Sequence, residues 1–151
     1  MRAIYACMGR LWIAGATLIM AMAAAMMPAA AGDGPIADLK IWCGDAAKMI
    51  ADKDTDKFFD SFVFASGHLV DRPTVAQAFS SLAPGLARQG DAVSESFLLQ
   101  KDYGDSFSRV WFLVQYEKGN LFLRCEGAKR GEGWIVNSFI YNSEASKVDL
   151  P

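Results

Sequence analysis

Alternation of apolar and polar positions is clearest between Ser106 and Tyr141, where β-branched and aromatic residues recur every second position. The stretch Phe107–Tyr116 and the stretch Leu121–Cys125 flank Lys118-Gly119-Asn120, and Gly and Asn tolerate the positive φ of a short hairpin turn. A two-residue turn at Lys118-Gly119 or at Gly119-Asn120 predicts the same two faces. One carries Val110, Phe112, Val114, Tyr116, Leu121, Leu123 and Cys125 and is nearly all apolar. The other carries Arg109, Trp111, Leu113, Gln115, Phe122, Arg124 and Glu126 and is mixed. The first face is expected to meet a core, the second water or a partner. An earlier strand is predicted from Ala92 to Lys101, with a turn at Asp102–Asp105. A last strand is predicted over Trp134–Tyr141, after the turn Lys129–Gly133. With an even register, Phe139 and Tyr141 would join the mixed face.

Upstream the period changes from two to between three and four. Ile36, Leu39, Cys43, Ala46 or Ala47, and Ile50 form a helical stripe opened by Pro35. Asp54 or Thr55 can cap a second helix bearing Phe58, Phe59, Phe62 and Val63, closed by Ser66-Gly67. Pro73 and Thr74 open a third, with Val75, Ala78, Phe79 and Leu82 on one side and Pro84-Gly85 as its stop. Leu86–Asp91 is expected to be a loop, and residues 144–151 a loosely held tail. Helices followed by strands predict an α+β domain over residues 32–143, with N-terminal helices packed on one face of a curved four-stranded antiparallel sheet.

Three N-terminal helices with a Phe-rich second one, an antiparallel sheet and a late Gly133-Trp134-Ile135-Val136 strand resemble the nuclear-transport-factor-2-like superfamily, the cystatin-like cone roll. The end of the chain is similar to small exported bacterial proteins of that shape. The resemblance implies a space between helices and concave sheet face in which members bind ligands or catalyse with inward acids, histidines and tyrosines. It also implies sheet-to-sheet homodimers through the opposite face. Fold alone does not choose among these.

The first 31 residues change the picture of compartment. Arg2 and Arg10 precede an apolar run, Leu11–Met27, followed by Pro28 and Ala29-Ala30-Ala31. That order predicts a secretory signal peptide cut after Ala31, and an exported, periplasmic product. The apolar run is at the short end for a bilayer span. No membrane attachment is expected once the leader is removed. Its loss takes away two arginines and no acid, leaving 13 basic against 17 acidic side chains and a net charge of −4. An acidic chain of that kind is a poor match for nucleic acid or anionic lipid.

Two cysteines remain, Cys43 on the helical stripe and Cys125 on the apolar sheet face. Two independent periodicities point them into one core, and an oxidising compartment favours a disulfide over two separately buried thiols.

Candidate chemistry is sparse. His68 is the one histidine, with Asp71 three residues on, and there is no close cysteine pair to complete a metal site. No nucleophile elbow, phosphate loop or dinucleotide fingerprint is present, and no cofactor is expected. The inward hairpin positions offer Tyr116 but neither carboxylate nor imidazole, whereas acid–base catalysis needs such a group within reach of substrate. The expectation is therefore a binding or interaction module that takes a small apolar ligand in its interior, or a protein partner or second copy on Arg109, Trp111, Phe122 and Arg124. Aromatics with arginine have the composition of an interface core. The alternative is a small lyase- or isomerase-like enzyme using Tyr116, Asp60 or His68, with Asp102 also able to approach the opening of the roll.

Overall fold

A computed structural model describes residues 34–151; the expected signal peptide lies outside the described residues. The element order is α1 (Leu39–Ala51), α2 (Thr55–Ala65), α3 (Arg72–Ala78), α4 (Leu82–Ala87), β1 (Ala92–Tyr103), β2 (Phe107–Tyr116), β3 (Gly119–Arg130) and β4 (Gly133–Asn142), ending in a 3₁₀ turn over Ala145–Val148. The strands form one curved antiparallel sheet in the order β1-β2-β3-β4. The helices pack against it, an α+β fold.

Each of the first three helices starts on an aspartate. Asp38, Asp54 and Asp71 accept hydrogen bonds from the backbone N–H of Ile41, Lys57 and Thr74 at 3.0, 3.1 and 2.9 Å. These bonds satisfy N–H groups that the helix itself cannot. Helix α1 lies across β2 and buries Leu39, Trp42, Cys43, Ala46, Ala47 and Ile50. Its alanines keep that face flat, and Cys43 is joined to Cys125 on β3 with Cα atoms 6.0 Å apart. Both cysteines are fully buried.

Helix α2 supplies an aromatic cluster. The Phe58 ring centroid lies 4.8 Å from Phe139, 5.5 Å from Phe79, 5.9 Å from Phe59 and 6.2 Å from Phe62. Trp42 closes the cluster edge-on to Phe139 and donates its indole N–H to Ser61 Oγ at 3.0 Å. The space between helices and sheet is thus filled by rings around Phe58.

The hairpin faces are as expected, although the turn is not. Tyr116 pairs with Gly119, so the turn residues are Glu117 and Lys118. Every two-residue turn in this region pairs odd with even positions, and the faces survive the shift. The turn docks on the loop after α4, through Glu117 N–H to the Asp91 carbonyl and Lys118 N–H to the Gln89 carbonyl, each 3.0 Å. Gly119 does not adopt a positive φ. A β-carbon there would meet Gln89 Oε1 at 2.6 Å, so the absence of a side chain lets the Gln89 amide lie close against the strand.

Between β3 and β4 the turn is Gly131-Glu132, with Gly131 at φ +57. A bulge at Asn137 then shifts the phase: Glu126 pairs with Ser138, but Gly127 pairs with Val136. In consequence Phe139 and Tyr141 face the helices and not the mixed face. Helix α4 is a second correction. Pro84 and Gly85 sit inside it, and Pro84 in a first helical turn removes only an N–H that has no intrahelical acceptor. At the far edge, Ile36 pairs antiparallel with Trp134 and Gly34 N–H reaches the Arg130 carbonyl at 2.8 Å.

Candidate binding surfaces

At the end of the sheet where β1 begins and β4 finishes, α4 stands off from the strands and leaves a groove of about 230 Å³. Leu82 and Leu86 of α4 and Leu121 of β3 give its apolar lining. Gly85, Gln89, Tyr141, Asn142 and Ser143 complete it, and none of these eight residues is charged. The Tyr141 and Ser81 hydroxyls share a hydrogen bond at 2.8 Å, which fixes the ring on one wall. The sequence pattern puts Leu82 on the third helix and Leu86 in a loop, so nothing in it marks this groove.

The residues named for an enzyme are each committed elsewhere. Tyr116 is buried and donates its hydroxyl to the Ile50 carbonyl at 2.8 Å. Asp60 is on the solvent side of α2, ion-paired to Arg72 Nε at 2.7 Å. His68 is exposed in the connection after α2, at φ +58, with its ring edge-on to Phe64. Asp71 spends its carboxylate on the Thr74 hydroxyl and N–H, which hold it below the ordinary carboxylate range. Asp102 accepts from Ser108 Oγ and Gln100 Nε2 at 2.7 and 2.9 Å, and those bonds likewise lower its pKa. It lies at the opposite end of the sheet from the groove.

Burial first, then the charges of Asp52 and Glu95, push the Tyr116 phenol up to about 12. Its unfolded value is about 10. A raised acid pKa stabilises the fold fully below pH 10, and that contribution is lost as pH rises through 12. Tyr116→Phe is therefore expected to flatten the fall in melting temperature between pH 10 and 12. At neutral pH it should cost about 1 kcal/mol, the net worth of one hydrogen bond. An unchanged alkaline slope would assign that fall to another group.

The mixed sheet face brings Arg109, Trp111, Phe122 and Arg124 together, with Trp111 directly opposite Arg124. Its centre is not open. The segment expected to be a loose tail folds over it and buries Val148 completely. The Trp111 indole N–H donates to the Val148 carbonyl at 2.8 Å, and Arg124 Nη1 donates to the same oxygen at 3.1 Å. Arg124 also pairs with the Asp149 carboxylate. Trp111 is 1 % exposed and Arg124 6 %. Ala145, Val148 and Leu150, scattered through a short polar tail, give too little pattern to predict this.

Around that centre runs a chain of alternating charge. Glu126 Oε1 lies 2.8 Å from Arg109 Nε and 3.2 Å from Arg124 Nε. The N–H bonds are not aimed along these contacts, which act as ion pairs and not as hydrogen bonds. Arg109 stacks over Tyr103 at 5.2 Å and Phe107 at 5.9 Å, so cation–π attraction shares its charge. Arg109 and Phe122 stay half-buried, while Tyr103 is 40 % exposed.

Comparison of the chain with protein-family models, with curated proteins and with solved structures finds no match.

Proposed function

We propose that this is an exported, non-catalytic binding module that holds a small, uncharged apolar ligand, or the apolar group of a larger one, in the groove beside α4. The observation that carries the reading is the lining: three leucines inside, neutral polar groups at the rim, no charge. Apolar pockets with a few convergent polar groups are the usual form of small-molecule sites. At about 230 Å³ the groove is smaller than a typical drug-sized site, roughly 300–1,000 Å³, so a compact group fits and a nucleotide-sized cofactor does not. The location between helices and sheet accords with the resemblance to nuclear-transport-factor-2-like rolls. Export is supported by the leader pattern and the buried cysteine pair. Among the described residues no helix is long and apolar enough to cross a membrane.

Titration with 1-hexanol, followed by amide chemical shifts in ¹H–¹⁵N spectra, tests the site. Saturable shifts are expected at Leu82, Leu86, Gln89 and Leu121. Gly85→Phe should abolish them while the variant still melts cooperatively, since a β-carbon on Gly85 meets no heavy atom within 4 Å. Shifts scattered over the surface, or clustered at the hollow beside Ile41 and Trp42, would end the assignment.

A further inference from the structure

The C-terminal strap over the mixed sheet face behaves as a ligand that happens to be covalently attached. It leaves β4 after Asn142, and its backbone bonds are local: Lys147 N–H to the Glu144 carbonyl, Leu150 N–H to the Ala145 carbonyl. None is a ladder bond to a strand. What holds it down is the fully buried Val148, with Ala145 and Leu150 half-buried, one carbonyl gripped by Trp111 and Arg124, and one carboxylate, that of Asp149. Asp149 takes a left-handed conformation, φ +48, to present that carboxylate. Lifting residues 145–151 breaks no strand pairing and opens nothing in the aromatic core. Segments attached in this way open at the low end of a protein's range of local stabilities.

Lifting the strap uncovers Trp111 and strips Arg124 of Asp149, with Leu113, Phe122 and Ile140 as cross-strand neighbours. Uncovered, the Trp111 ring is left in water and Arg124 has lost the Asp149 charge, so a replacement that restores both the burial and the pairing is favoured. It must offer a β-branched side chain, a carbonyl flanking it and an acid one residue on. The strap of another molecule offers all three, in the same order. We propose that this slot receives the C-terminal strap of a second copy of the chain, so that the protein dimerises by reciprocal exchange of residues 145–151. Each copy then gives one strap and fills one slot. The arrangement is two-fold and closed, and it reuses every contact of the monomer. Ser143 and Glu144, both exposed, form the hinge. The inference is independent of the groove beside α4.

Complementation tests it. Val148→Asp leaves a slot without a competent strap, and Arg124→Glu leaves a competent strap without a slot, because the new charge repels Asp149. Each variant alone should sediment as a monomer. An equimolar mixture should give a 1:1 heterodimer of twice the mass, identified by native mass spectrometry. A mixture that stays monomeric, with both variants folded by circular dichroism, overturns the proposal. If Arg124→Glu does not fold, a fluorescein-labelled peptide of residues 143–151 replaces it. It should bind the Val148→Asp chain saturably and at least tenfold more weakly to the wild type, whose slot is filled. No saturable binding to the Val148→Asp chain overturns the proposal equally.

Discussion

Replacing both bridge residues, Cys43→Ala with Cys125→Ala, is expected to lower stability by about 4.5 kcal/mol. The magnitude follows from the sequence separation of 82 residues. A cross-link closing a loop of that length removes about 15 cal/mol/K of entropy from the unfolded chain in the loop-closure treatment. Against a total stability of roughly 5–15 kcal/mol, that is a third or more of what holds the domain together. At about 4 °C per kcal/mol for a domain of this size, the melting temperature should fall by about 18 °C. Alanine is the better substitute here, since serine would place hydroxyls at two fully buried positions. In denaturant, where burial no longer protects a thiol, iodoacetamide should label neither cysteine before reduction and both after. A double variant that melts within a few degrees of the wild type would show that the helices and sheet need no tether.

Phe58→Ala should be nearly as costly, about 3–5 kcal/mol, and should change what the interior can hold. Phe58 is fully buried and touches four other phenylalanine rings, so its loss leaves a hole that neighbours on two helices and a strand cannot all collapse into. Truncating a core phenylalanine combines the lost transfer energy with the cost of the cavity. A void lined by Phe59, Phe62, Phe79 and Phe139 is apolar and stays dry. Benzene should enter it and raise the melting temperature of the variant in a concentration-dependent way, by clearly more than it raises that of the wild type. If benzene leaves the variant unchanged, the cluster has repacked, and the interior is more plastic than its ring contacts imply.

Some of this architecture was legible in the chain and some was not, for identifiable reasons. The sheet faces could be read because parity is indifferent to where a two-residue turn falls. The disulfide was readable because Cys43 and Cys125 sit on two separate apolar periodicities, each of which points inward by itself. The turn position is not legible because Gly119 looks like a residue chosen for its φ, yet it starts β3 without a positive φ and lies against the Gln89 amide of a distant loop. The phase of β4 was missed because a bulge at Asn137 depends on pairing and leaves no local mark. Helix α4 was hidden by Pro84-Gly85, a pair that ends helices more often than it begins them. The open sheet face was the largest discrepancy. Trp111 and Arg124 were correctly put on one surface, but the polar stretch that covers them contributes a single valine.

The pairing of Ile36 with Trp134 carries a consequence for assembly order. Residues 34–36 border β4, so a chain emerging amino end first must keep Ile36 waiting for Trp134, about a hundred residues downstream, and Cys43 waiting for Cys125, 82 residues downstream. Contacts that distant are slow to form, since a long loop must close before they return anything. The helices can gather early, but oxidation and edge closure both depend on the final third of the polypeptide. Premature release of a shortened chain would leave an unpaired thiol and an unguarded margin, a combination suited to intermolecular cross-linking and aggregation.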